Sequence, residues 1–199
     1  KNNTTGIANT AIGNRALYTS LSGSYNFAAG LCALYNNWGG CSNTAIGLDA
    51  LKSNTTGGCN NAIGNSALCG NTTGTNNAAI GYGALQNNTT GYYNHAIGRR
   101  ALYANTTGHS NNALGNAALY SNTTGCYNTA IGPEALYGSL SGSYNFAAGL
   151  CTLACNWGGC HNTAMGYYAL KHNTTGESNT AIGSIALYCN TTGCHNTAI

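Results

Sequence analysis

A strict internal period constrains this sequence more than any other feature. A glycine that follows A-I, or a close variant of it, recurs every 17 residues with no insertion or deletion. It occupies Gly13, Gly30, Gly47, Gly64, Gly81, Gly98, Gly115, Gly132, Gly149, Gly166 and Gly183. A fixed short period is typical of repeat proteins, in which each unit packs mainly on its neighbours. We therefore predict that residues 1–199 form a single continuous repeat array, and we expect that array to be a segment of a longer chain.

Alignment of the repeats on this glycine gives columns of identical or similar residues. Asn fills one column from Asn9 to Asn196, and Ala fills the column two residues later. The residue before the glycine is Ile or a substitute such as Ala29, and Leu fills a further column from Leu17 to Leu187. These columns indicate that the repeats share one conformation.

The composition of each repeat favours short strands over helices. Glycine costs about 1 kcal/mol per residue in a helix interior, and every unit also contains several Asn or Thr residues. The segments T-A-I-G and A-L-Y are short and bounded by Gly or Asn, as β-strands are. We predict an all-β fold, a parallel β-solenoid (β-roll) of about twelve 17-residue coils with two short strands per coil. Since stacked strands lie about 4.8 Å apart, the rod would be on the order of 55 Å long.

Strand alternation predicts which columns face the interior. Neighbouring strand residues point to opposite faces, so the Ile and Leu columns are expected inside the coil and the Ala columns on a second, small-residue face. Such a face suits lateral packing against other copies of the chain, although alanine also simply fits a tight strand. The Asn column is expected at the strand entry, where its amide hydrogen-bonds along the array or caps a turn.

A longer repeat overlies the short one. Residues 16–48 recur as residues 135–167, an offset of 119 residues or seven coils. In these variant coils the Ile column holds Ala29 or Ala148, and Phe27 or Phe146 stands nearby. This exchange suggests that an aromatic ring fills the volume that the Ile vacates, and tandem duplication of a seven-coil block explains its recurrence.

The low charge excludes several classes of function. Only 5% of the residues are charged and the net charge is +3, so no basic stripe is present to follow a nucleic-acid backbone. The three acidic residues lie in different coils, and no His has an acidic partner pattern. We predict no enzyme, no catalytic residue, no cofactor and no nucleic-acid partner. No apolar run is long enough for membrane insertion of this segment.

The cysteine content suggests an oxidising compartment, and hence an extracellular or cell-surface location. Ten cysteines are disulfide candidates: Cys32, Cys41, Cys59, Cys69, Cys126, Cys151, Cys155, Cys160, Cys189 and Cys194. Several spacings recur, but Cys160 fits two partners, so the connectivity stays open. An alternative is a soft-metal site, because Cys155, His172 and Cys189 share a column in three successive coils.

The turn sequence N-T-T is a glycosylation sequon. It places candidate glycans at Asn3, Asn54, Asn71, Asn88, Asn105, Asn122, Asn173 and Asn190. The alternative is that N-T-T-G simply makes a good turn, with Gly at positive φ. The Thr pairs also raise an ice-binding alternative, although consecutive Thr residues should not share one strand face. A column of Tyr residues suggests either stacking along the rod or contact with sugars.

These residues resemble a known group of repeats. N-T-A-I-G-x-x-A-L with N-T-T-G turns is similar to the head-domain repeats of trimeric autotransporter adhesins, and to arrays in bacterial surface and phage tail-fibre-like proteins. The resemblance implies a parallel β-roll in a rigid extracellular stalk or adhesive surface, with three chains side by side in the adhesin heads. The uniform period of 17 and the ten cysteines depart from the adhesin pattern.

The sequence therefore predicts a structural rod of an extracellular fibre or filament that self-associates, with glycans attached to or bound at its turns. The alternatives are an adhesin or phage-type fibre that binds a cell-surface or carbohydrate ligand, and an ice-binding solenoid.

Overall fold

The computed structural model describes residues 4–199 as one parallel β-solenoid. Its twelve strands form a single sheet in sequence order, each pairing in parallel with the next. The strands are β1 Thr10–Ile12, β2 Phe27–Ala29, β3 Thr44–Ile46, β4 Asn61–Ile63, β5 Ala78–Ile80, β6 His95–Ile97, β7 Asn112–Leu114, β8 Thr129–Ile131, β9 Phe146–Ala148, β10 Thr163–Met165, β11 Thr180–Ile182 and β12 Thr197–Ala198. The register pairs equivalent residues, for example Ala62 with Ala79. The predicted all-β solenoid with its 17-residue coil is confirmed.

Each coil has one strand rather than the two predicted. The segment A-L-Y belongs to a turn that follows the glycine shared by all repeats. Leu85 in that segment has a φ of 51°, and its equivalents throughout the array share this left-handed conformation. A strand requires negative φ, so the leucine cannot continue one. Its N–H still bonds along the rod, from Leu85 to the carbonyl of Ala101 at 3.0 Å, and the turns are therefore stacked as regularly as the strands.

The interior is lined by alanine and leucine. Two predictions are therefore wrong: the isoleucines do not lie inside the coil, and the alanines do not form a second face for lateral packing. Ala62 in β4, Ala67 and Leu68 after it are fully buried, as are their equivalents in the central coils. Ile63 beside Ala62 is 37% exposed. Because each of the strands β1–β11 has three residues, alternation puts its central Ala inside and its first and third residues outside. The coil is too narrow for a larger residue at the central position, which explains why Ala is constant there.

Two buried ladders of asparagine complete the interior. In the first, at the strand entry, the Asn43 N–H and Nδ2 both donate to Oδ1 of Asn26 in the preceding coil, at 2.9 and 3.1 Å. The predicted role of this column is confirmed. In the second, in the turn, Nδ2 of Asn54 donates to Oδ1 of Asn37 at 2.7 Å and to the carbonyl of Gly57 at 2.9 Å. Nδ2 of Asn43 reaches the same carbonyl at 2.9 Å, so the two ladders meet at each turn.

Candidate functional site

The outer face of the sheet is the largest regular surface of the rod. It carries the first and third residues of every strand, and no Asp, Glu, Lys or Arg occurs at these positions in β1–β12. The third residues form an apolar ridge whose large members are exposed: Ile12, Ile46, Ile63, Ile80, Ile97, Leu114, Ile131, Met165 and Ile182. A continuous exposed apolar surface of this kind is typical of interaction sites.

A shallow groove runs across this face at its centre. It has a volume of about 430 Å³ and is lined by Ala78, His95, Ile97, Leu114 and Ile131, among others. The first residues of these strands are small or polar, so the ridge of third residues forms the apolar wall of the groove. Nδ1 of His95 lies 3.0 Å from Oδ1 of Asn112 in the next strand. These two polar side chains of the groove therefore bond to each other, and the apolar wall beside them is exposed.

The face changes at two strands, β2 and β9. There Phe replaces the first residue and Ala replaces the Ile of the third. Phe27 is 37% exposed, so its ring is not absorbed into the coil. In each of these strands the large Phe side chain protrudes at one edge of the face, and the small Ala leaves a depression at the other edge.

Aromatic side chains stack along the turns. Tyr103, Tyr120 and Tyr137 form one ladder with ring centroids 5.1 and 5.0 Å apart and nearly parallel planes. A second ladder contains Tyr144, whose ring lies 4.9 Å from that of Tyr127 and 5.0 Å from that of His161. The coil spacing sets these distances, and offset stacking at this range is favourable.

Six of the eight sequon asparagines lie where a glycan has no space. Asn54, Asn71, Asn88, Asn105, Asn122 and Asn173 are all fully buried. The atom that would carry the sugar, Nδ2, donates in each of them to the preceding coil and to the turn, as at Asn88 with 2.8 and 3.0 Å. Asn190 in the last coil is partly exposed but makes the same bonds, and Asn3 lies outside the described residues. The folded coil therefore uses N-T-T-G as turn chemistry at the buried positions.

The Thr pairs are also divided between two roles. The first Thr donates its hydroxyl to the backbone of the next coil, as Thr72 does to the carbonyl of Thr89 at 3.0 Å. The second Thr, such as Thr73, is exposed. The two therefore do not form one flat face of free hydroxyl groups.

All ten cysteines, which lie within the described residues, have free thiols, and none of the predicted disulfides forms. The sulfur atoms have other contacts. Sγ of Cys160 accepts a hydrogen bond from the N–H of Ser143 in the preceding coil at 3.4 Å. Sγ of Cys151 lies 3.2 Å from Oε2 of Glu134. Both thiols are free, so these contacts take the place of a disulfide at Cys151 and Cys160.

Four cysteines share a column in which serine has the same contacts. Cys41, Cys126, Cys160 and Cys194 each accept a backbone N–H from the preceding coil at 3.3–3.5 Å. Oγ of Ser143 in that column accepts the N–H of Cys126 at 3.0 Å. Sequence reasoning missed this structural role, although the exchange of Cys and Ser in one column was its signal.

Burial makes the thiols unequal in reactivity. Burial first, and the hydrogen bond with Glu134 second, raise the pKa of Cys151 to about 11. Burial also raises the pKa of Cys69. Only the thiolate is nucleophilic, so at pH 9 Cys151 remains mostly protonated.

We expect the folded protein to show ten alkylatable thiols of two kinetic classes. At pH 9, the exposed Cys41 and Cys189 should react with iodoacetamide at least tenfold faster than Cys151, and the ratio should fall as the pH rises towards 11. Peptide mass spectrometry over time measures this, and the same reaction in denaturant is the control. Fewer than ten labelled cysteines after unfolding without reductant would show disulfides that the structure lacks.

The proposed metal cluster is not assembled. Among residues 4–199, no group of three His, Cys, Asp or Glu side chains is placed to hold a metal ion. The imidazole of His172 instead packs edge-on against Tyr188, with centroids 4.7 Å apart.

These features define a parallel β-solenoid repeat protein whose outer sheet face is uncharged and carries an apolar ridge. Comparison with known protein families, with characterised proteins and with solved structures gave no significant match. Within residues 4–199, no helix is long and apolar enough to cross a membrane.

Proposed function

We propose that this chain is the structural rod of an extracellular fibre or filament and that copies of it associate with one another. The observation that carries the proposal is the uninterrupted stacking of equivalent groups from coil to coil. Backbone hydrogen bonds link successive strands and turns, and two asparagine ladders run through the interior. A solenoid of this kind is stabilised mainly by contacts between adjacent coils.

The same bonding supports a mechanical role. Each coil joins the next through the sheet, the leucine turn and both Asn ladders, so bending the rod would strain bonds on several sides at once. Ala62, Leu68 and Asn71 fill the section of one coil with no exposure to solvent, and close-packed interiors resist deformation. The extracellular part of the proposal rests on the cysteine content of the sequence, because every thiol is free in the structure.

Electron microscopy of the purified chain tests the proposal. We expect thin rods that associate into longer or thicker filaments, with about 4.8 Å between coils. Matched samples in denaturant are the control. Compact discrete particles under all conditions would contradict a structural rod.

The aromatic ladders favour adhesion as a second candidate function. Tyr137 ends its ladder: its ring stacks on that of Tyr120 at 5.0 Å, the next residue in the column is Ala154, and the side chain is 40% exposed. An exposed, largely apolar ring with a polar hydroxyl is suited to contact with a sugar. Binding of isolated rods to a glycan array, lost on Tyr137→Ala, would support this candidate. The absence of binding above background would leave stacking along the rod as the role of these residues.

A further inference from the structure

We propose that the outer sheet face pairs two copies of this chain in parallel and in register, about a two-fold axis that runs along the rod. The inference rests on the proposed function, in which copies of the rod associate, and it identifies the surface through which one copy binds a second. Its basis is the recurrent exchange of large and small residues on β2 and β9.

The geometry of face-to-face pairing leaves two simple arrangements. If the two-fold axis is parallel to the rod, each strand lies opposite its own copy with reversed direction, so its first residue opposes the partner's third residue. If the axis is parallel to the strands, the rods are antiparallel and first residues oppose first residues. Two-fold interfaces of either kind are self-complementary.

Only the parallel arrangement matches the volumes strand by strand. In a consensus strand such as β3, Thr44 opposes Ile46 of the partner subunit. In β2, Phe27 then opposes Ala29 of the partner subunit, so a large residue meets a small one on both sides of the axis. The strand β9 repeats the match. In the antiparallel arrangement Phe would meet another first residue and Ala another third residue, which leaves overlap at one edge and a void at the other.

The side chains of the outer sheet face are compatible with burial in a dimer interface. It carries no charged side chain that would need a partner, and desolvating unpaired charges is costly. The exposed third residues, such as Ile80 at 41% and Leu114 at 49%, would lose their contact with water. His95 and Asn112 already bond to each other.

The size of the face is sufficient for a dimer. Twelve strands at about 4.8 Å by a width of about 12 Å give on the order of 690 Å² per copy. The pair would bury roughly 1,400 Å² in total, which is within the range of specific interfaces.

Two sets of variants test the pairing by sedimentation velocity over a range of concentrations. Ile80→Asp with Leu114→Asp should weaken self-association at least 100-fold. The matched control, Leu48→Asp with Leu150→Asp, changes two leucines of similar exposure that lie outside the strands, and it should leave association within threefold. Circular dichroism checks that all variants remain folded.

The second set tests the register. Ala29→Ile with Ala148→Ile fills both depressions and should weaken the dimer at least tenfold, because Ile then opposes Phe of the partner. Adding Phe27→Thr and Phe146→Thr converts both strands to the consensus pair and should restore association. In an antiparallel pair the alanine replacements would cause no loss, and that result would overturn the proposal.

The outcomes separate this inference from the proposed function. Filaments that are unaffected by the Asp variants would overturn the sheet-face interface while leaving the structural rod in place. A chain that stays monomeric and forms no filaments would overturn both.

Discussion

Replacing Gly81 by alanine is expected to lower the free energy of unfolding by roughly 3–5 kcal/mol, from backbone strain and overpacking together. Gly81 follows β5 and has a φ of 130°, a conformation that residues with a Cβ rarely adopt. A Cβ there would lie 2.6 Å from the carbonyl oxygen and 2.8 Å from the carbonyl carbon of Gly98. Both atoms belong to the backbone of the next coil, so neither can rotate away.

The effect should extend beyond one residue. Stability in a solenoid is approximately a sum over coils and their interfaces, and Gly81 lies at the interface between the coils of β5 and β6. Forcing these coils apart would also weaken the bond from the Gly98 N–H to the carbonyl of Ile80, now 2.8 Å. We expect a lower unfolding midpoint in denaturant and new proteolytic cleavage near this junction.

Gly39→Ala provides the matched control for this change. A Cβ at Gly39 would meet nothing closer than 3.7 Å, which is ordinary van der Waals contact. Its effect should stay within about 0.5 kcal/mol, as for most surface substitutions. Equal losses for the two variants would show that the close approach of successive coils does not limit the residue at Gly81.

The solenoid could be predicted from the sequence because the 17-residue period is evident even where the conformation of a single segment is ambiguous. An unbroken 17-residue step fixes which residues are equivalent, and stacking of equivalents in parallel follows directly. The role of the strand-entry asparagine was also predictable, since a constant amide in a stacked array can bond to its own copies, as Asn43 does to Asn26.

The side on which each residue lies was harder to predict. Ile63 is more apolar than Ala62, and hydrophobicity alone would place it inside. Coil width decides otherwise, because a 17-residue coil closes around Ala, Leu and Asn with no room for a second branched residue. Likewise, A-L-Y has the composition of a strand, but Leu85 adopts positive φ because the chain must turn there. Neither the inward position of Ala62 nor the turn at Leu85 can be deduced from the sequence of a single repeat.

Free thiols and buried sequons were the other differences. A cysteine count suggests disulfides, but it does not show where each sulfur points. Cys160 and Ser143 occupy one column because each accepts a backbone N–H. Asn88 matches a sequon, yet the same turn chemistry that makes the match buries its amide.

The second large effect is expected in the asparagine ladder of the turns. Replacing an Asn of this ladder by Ser should lower the free energy of unfolding, and replacing its Ser by Asn should raise it. Asn88→Ser removes the bonds from Nδ2 to Asn71 and to Gly91, and it removes the acceptor of Nδ2 of Asn105. Leaving buried polar groups without partners costs about 1–3 kcal/mol each. We expect a total loss of roughly 2–4 kcal/mol, once the smaller volume of serine is included.

The chain already contains the reverse case at Ser139. This serine is buried in the ladder between Asn122 and Asn156, and Oγ of Ser139 and Oδ1 of Asn122 lack partners in the structure. Ser139→Asn would offer Nδ2 to Asn122 and Oδ1 to Asn156, as the other coils do. We expect a gain of about 1–3 kcal/mol, the cost of the unpartnered groups.

Thermal and urea unfolding of the two single variants and the double variant measure both effects. The sites are three coils apart and share no partner, so their effects should add within about 0.5 kcal/mol. Asn87→Ser and Ser141→Asn are the controls, because both positions are exposed and adjacent to the ladder. A loss of stability in Ser139→Asn would show that this turn is shaped for serine and that amide bonding does not set the strength of the ladder.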